Sequence, residues 1–110
     1  MRISSAGSQL PNEFALGQNY PNPFNPTTEI QYALPVDAHV SLKVYNITGQ
    51  EVATLLDDVQ EAGYHERLWN SRNSSNVQLG SGVYFYRLIA TGVSDSKALF
   101  DQVRKMILMK

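Results

Sequence analysis

Apolar and polar residues alternate with period two along most of the chain. Ile30, Tyr32 and Leu34 alternate with Glu29, Gln31 and Ala33, and Pro35 ends the run. Val40, Leu42 and Val44 alternate with Ser41, Lys43 and Tyr45. Successive side chains of a strand point to opposite faces, so each run predicts a half-buried strand. Asn46-Ile47-Thr48-Gly49 reads as a hairpin turn with glycine at a positive-φ position. Val52, Ala53, Leu55 and Leu56 form the return strand, with helix as a rival because TLLDDVQEA holds good helix formers. Asp57, Asp58 and Glu61 read as a solvated acidic turn, Ala62-Gly63 as a further turn and 64–69 as a strand. A polar loop spans 70–82. The strongest strand is VYFYRLIA at 83–90, β-branched or aromatic nearly throughout. Tyr84, Tyr86 and Leu88 share one of its faces; Val83, Phe85, Arg87 and Ile89 share the other. Both faces are largely apolar, which predicts a central strand. Its outer face is then covered by a neighbouring segment or left as an interaction patch. Residues 91–96 turn the chain, and VRKMILM at 103–109 makes the last strand.

Ahead of these strands, 1–13 is polar and reads as a flexible linker, leaving 14–110 as the domain. Pro21, Pro23 and Pro26 fall within six residues, which forbids helix and central strand alike. That stretch predicts an extended loop pinned to the core by Tyr20 and Phe24. About seven short strands with turn signals every 8–12 residues predict an all-β, immunoglobulin-like antiparallel β-sandwich. Trp69 is expected in its core.

Composition narrows the function. The 110 residues carry nine Lys+Arg against ten Asp+Glu and no cysteine. Size scaling buries about two-thirds of the extended chain's surface, enough for one core. A net charge of −1 offers no polybasic footprint for nucleic acid. Without cysteine there are no disulfides, thiolate metal sites or thiol nucleophile. No apolar run approaches the ~20 residues of a membrane span. The N-terminus lacks the apolar stretch of a signal peptide, so a signal for export would lie upstream of this sequence. His39 and His65 have no ligand partner at helical or strand spacing, and no serine sits in a nucleophile elbow. The sequence therefore predicts no enzyme, no cofactor and no metal.

Five stretches in fixed order carry a resemblance: LGQNYPNPFNPTTEIQYALP, VSLKVYNITGQEVATL, AGYHERLWN, SGVYFYRL and KMILMK. From about Leu16 to Lys110 the chain resembles the C-terminal sorting domain of type IX (Por) secretion cargo. It is also similar to the related immunoglobulin-like domain of the flagellar hook-cap protein. The resemblance implies a non-catalytic module that ends an exported protein, with a cargo domain upstream in the same chain. It implies passage through the periplasm to the cell surface or exterior. It implies two partners, the outer-membrane translocon and a sortase-like peptidase that cuts in the preceding linker, somewhere within 4–12. Carried over onto matching residues, the family's motifs fall on Gly63, on Gly82 and Tyr84, and on Lys105, Met106, Leu108 and Lys110. A terminal strand with unpaired edge groups and a positive end suits recognition by strand addition and charge. The plainer alternative has Met106 and Leu108 filling the core. An exposed edge would also allow a strand-swapped homodimer.

The chain departs from the pattern twice. Arg67-Leu68 stands where an apolar-polar pair is usual, which predicts a local bulge or a changed face near Trp69. The loop before the last strand is long, which predicts a turn of helix or a protrusion over 94–101. Two rival functions remain. One is a carbohydrate-binding or adhesion module with Tyr45, Tyr64 and Trp69 in a solvent-facing row. The other is a scaffold domain of hook-cap type.

Overall fold

A computed structural model describes residues 10–109; most of the expected linker and Lys110 lie outside them. Strands β1 (Ala15–Leu16), β2 (Thr28–Leu34) and β5 (Gly63–Trp69) form one antiparallel sheet in the order β1-β2-β5. Strands β3 (Ala38–Tyr45), β4 (Glu51–Gln60), β6 (Gly82–Gly92) and β7 (Ala98–Leu108) form the second, in the order β4-β3-β6-β7. The result is an immunoglobulin-like β-sandwich of seven strands. The period-two residues face inward as expected: Ile30, Tyr32 and Leu34 from β2 meet Val40, Leu42 and Val44 from β3, with Tyr86 and Leu88 from the internal strand β6. Trp69 is buried among them. Its ring centroid lies 5.8 Å from Phe24 and 6.1 Å, edge-on, from Tyr84.

β4 runs further than the sequence suggests. Its register against β3 jumps from Leu56 to Thr54 and from Ala53 to Glu51, so Leu55 and Val52 are the extra residues of two bulges. A bulge puts two consecutive residues opposite one. This explains why apolar residues come in adjacent pairs there, a spacing that also suits a helix. Asp57 and Asp58 pair with Ser41 and Val40 inside β4, so they are not in a turn. The expected bulge in β5 is absent: its register against β2 is unbroken from Trp69 opposite Thr28 to Gly63 opposite Leu34. Arg67 sits at the open edge of the sandwich and its Nε donates to the Leu55 carbonyl at 3.1 Å. The unusual residue in β5 thus satisfies a carbonyl that the bulge in β4 leaves without a ladder partner.

Residues 94–101 form neither a turn of helix nor a protrusion. β6 continues to Gly92 and β7 starts at Ala98, so 93–97 is a hairpin turn, closed by Gly92 N–H donating to Lys97 O at 2.8 Å. Two other loops share one device. Asn46 Oδ1 accepts from the amides of Thr48 and Gln50, and Asn73 Oδ1 accepts from those of Ser75 and Val77. In each loop the fourth residue takes positive φ, Gly49 at 86° and Asn76 at 63°. The asparagine carbonyl mimics a backbone acceptor and folds the loop on itself.

The proline-rich segment does not cover the outer face of β6. It runs between the sheets, along the side that β1 and β7 leave open. Phe24 is buried as expected, but Tyr20 is 80% exposed, because its backbone rather than its ring is anchored, bridging to Glu29. A buried polar network holds the segment. The Tyr86 hydroxyl donates to Gly17 O at 2.7 Å and accepts from the Asn19 amide at 2.8 Å. Asn19 Nδ2 donates to Thr28 Oγ1 and to Pro21 O, and Thr28 Oγ1 donates to Pro21 O. Burial pushes the Tyr86 hydroxyl pKa up, and the Asn19 amide and the Arg104 charge push back less strongly.

Two outcomes test this account. Tyr86→Phe leaves the Asn19 amide and Gly17 carbonyl unpaired and should cost about 1–3 kcal/mol in urea unfolding at neutral pH. The wild-type hydroxyl titrates higher folded than unfolded. Its stabilisation is therefore complete below the ordinary tyrosine pKa and is lost as pH rises toward the folded value. Y86F should accordingly lose less stability than wild type on going to alkaline pH, the residual loss coming from Tyr32 and Tyr84, which burial also raises. Phe24→Ala empties the seat beside Trp69 and should cost about 3–5 kcal/mol, read in the same titration.

Candidate functional site

β7 lies at the edge of its sheet, beside β6 alone. Tyr84 pairs with Met106, Phe85 with Lys105 and Val83 with Ile107. Met106 and Leu108 point inward and are buried. Val103, Lys105 and Ile107 point outward. Four of the residues singled out in the sequence therefore meet: Gly82 lies opposite Leu108 and Tyr84 opposite Met106. Gly82 has φ 152°, open to glycine and costly for other residues, at the entry to β6. The Tyr84 hydroxyl donates to Gly80 O at 2.7 Å and fixes that entry. Lys105 is beside this group but on the other face. Gly63 is apart from it, opposite Leu34 at the far end of the other sheet. Lys110 and most of the expected processing segment lie outside the described residues.

The edge of β7 is not unpaired at its end. Ile107 N–H donates to Asn22 Oδ1 at 2.9 Å and Ile107 O accepts from Phe24 N at 3.0 Å. Met109 N–H donates to Phe24 O at 2.9 Å. Further back, Gln18 Nε2 donates to Lys105 O at 2.8 Å and Arg104 Nε to Leu16 O at 2.6 Å. Phe14 stacks on Phe100 at 5.5 Å. Residues 14–24 thus run beside β7 and occupy the backbone groups at its end that strand addition would use: those of Ile107, the Met109 amide and the Lys105 carbonyl. The expectation of a free terminal edge is corrected here. The YPNPF and KMILM stretches, found far apart in sequence, are bonded to each other. Proline spacing hints at this, since three residues without an N–H can lie outside a sheet without orphaned donors. The Asn22 contact has no local signature.

The other edges are also closed in part. Ser74 N donates to Val52 O at 3.1 Å, which covers the start of β4. What stays open is the sheet faces. On the outer face of β3-β6-β7, Tyr45 and Phe85 are half-buried, Val103 is 51% exposed and Ile47 74% exposed. With Asn46, Gly49 and Arg87 they line a groove of about 290 Å³. Arg87 Nε donates to Asp101 Oδ1 at 2.8 Å, and a second bond joins its NH2 group to the other carboxylate oxygen. Asp101, chiefly through this hydrogen-bonded guanidinium, titrates below the usual carboxylate range. Lys43 pairs with Glu51 at 3.4 Å. Among the described residues Lys105 has no ion-pair partner, so it is the free cation of that face.

Tyr45, Tyr64 and Trp69 do not form a row. Tyr45 lies on the outer face of one sheet, Tyr64 on that of the other, and Trp69 in the core. His39 Nε2 lies 3.0 Å from Asp57 Oδ1, while His65 stacks on Tyr32 and donates to Glu61 O, so each histidine has a structural partner. No three His, Asp or Glu side chains converge on a metal-sized site among the described residues. No helix there is long and apolar enough to cross a membrane.

Comparison with known proteins places this architecture. No curated protein matches the sequence. Among solved structures, dimeric latent PorU from Porphyromonas gingivalis is similar with a TM-score of 0.67 and 22% identity, over 84% of this chain and 9% of that one. PorZ of the same organism, described as an essential surface component of its type-IX secretion system, has a TM-score of 0.49 at 21% identity, over 88% and 11%. The chain thus spans about a tenth of either protein, and the PorU likeness is one of fold. A family model, the FlgD Ig-like domain, matches residues 22–94, from the segment that seals β7 to the turn after β6. That match covers well over half of the sequence and most strands of the sandwich, and the chain belongs to the FlgD Ig-like domain family.

Proposed function

We propose that this chain is a non-catalytic sorting module of type IX secretion, which addresses an upstream cargo domain to the outer-membrane translocon. The observation that carries the reading is the pairing of Asn22 and Phe24 with Ile107 and Met109. The two stretches most specific to the resemblance are one structural unit, so the chain keeps them for a common purpose. The fold shared with part of PorU supports the sandwich on which this unit is built. The expected linker ends before Phe14, which is itself packed on Phe100, so a peptidase acting before residue 14 would leave the described strands intact. The family match favours a second reading, a scaffold domain of flagellar hook-cap type.

Export separates the two. The full 110-residue chain, fused behind a signal peptide and a reporter enzyme in a type IX-competent host, should carry the reporter to the cell exterior. A fusion that stays periplasmic, with the domain folded by protease resistance, would sink the sorting reading and leave the scaffold one. Deleting 105–110 is a poor control, because it strips the buried Met106 and Leu108 from the core, and lost export would then report lost stability as readily as lost recognition.

A further inference from the structure

Resting on the sorting reading, the structure assigns recognition to a face rather than an edge. We propose that the outer face of β6-β7, centred on Val103 and Lys105 beside the Phe85 groove, is the surface the translocon reads. Its occupant is a protein segment carrying one large apolar side chain and a nearby carboxylate.

Three observations lead there. First, the end of the β7 edge is taken: Ile107 and Met109 are bonded to residues 22–24, and Lys105 O to Gln18. Second, Met106 and Leu108 are buried, so a partner of the folded module cannot touch them. The alternation of β7 leaves Val103, Lys105 and Ile107 as the side chains it displays. Third, charge selects the partner. Arg87 is held by Asp101 and Lys43 by Glu51, while Lys105 stands opposite Phe85 with no ion pair among the described residues. A free ammonium beside a mainly apolar groove suits a carboxylate next to an apolar side chain. The other sheet offers exposed Tyr20, Tyr64 and Leu68, but Glu29 and Glu66 lie among them, so its charge is of opposite sign and it serves as the control face.

The test uses the same exported fusion. Lys105→Glu and Val103→Asp, both at exposed positions, should each lower the exported fraction by about tenfold, with Lys105→Arg near wild type. Leu68→Asp on the control face should export normally. Purified variants should keep the wild-type melting temperature, which separates recognition from folding. Normal export of both K105E and V103D overturns this surface while the sorting reading stands. Loss of export in L68D alone moves recognition to the other face. A photocrosslinker at Val103 that captures only lipid, or only a second copy of this chain, also overturns it. A wild-type fusion that is not exported overturns the reading beneath it as well.

Discussion

A strand at the edge of a sheet exposes a row of backbone donors and acceptors, and the last strand of this sandwich has the end of its row satisfied by the proline-rich segment that precedes β2. Ile107 turns both its N–H and its C=O outward, and both are taken, by Asn22 Oδ1 and by the Phe24 amide. The segment can do this because it is rich in proline. Pro21, Pro23 and Pro26 bring no N–H groups that would need partners of their own, and they hold the chain extended. Its anchors are few and specific: the Phe24 ring beside Trp69, and Asn19 and Thr28 around the Tyr86 hydroxyl. The contact joins residues more than eighty apart in sequence, as the Asn22–Ile107 separation of 85 shows. Closing so long a loop carries an entropic cost, which the surfaces of β2, β6 and β7 that it docks on must offset.

The strands were legible in the sequence because their faces differ. Alternation at 30–34, 40–44 and 84–88 reads directly as an inward and an outward set. Alternation ceases to be readable where a bulge adds a residue, as in β4. There Val52-Ala53 and Leu55-Leu56 look helical or ambiguous until the register against β3 is known. Arg67 shows the same limit in another form. Its departure from the expected pattern is real, but its cause lies on a different strand, at the Leu55 carbonyl. Long-range compensation of this kind has no local signature.

The candidate site divides along the same line. The resemblance groups Tyr84, Met106 and Leu108, and β6 and β7 are neighbours, with Tyr84 opposite Met106 and Leu108 opposite Gly82. That the edge beside them is closed does not follow, since Asn22 reaches Ile107 through a side chain. Tyr20 and Phe24 look equivalent as aromatics in a proline frame, yet only Phe24 is buried. The backbone bridge from Tyr20 to Glu29 sends the ring outward, while Phe24 faces the gap between the sheets.

Partly closed edges have a consequence for selectivity. Strand addition is carried mostly by backbone groups, which every sequence shares, so an open edge invites unrelated strands as readily as a cognate one. Here Ser74 covers the start of β4, Arg67 takes the Leu55 carbonyl, and 14–24 lines β7. What the module then presents is side chains: an apolar groove under Ile47 and Phe85, with Lys105 as its free cation among the described residues. Discrimination by a face of this kind depends on shape and on the sign of one charge. A module held together without disulfides depends on how well its sandwich is sealed, and the same contacts narrow the least selective way of being bound.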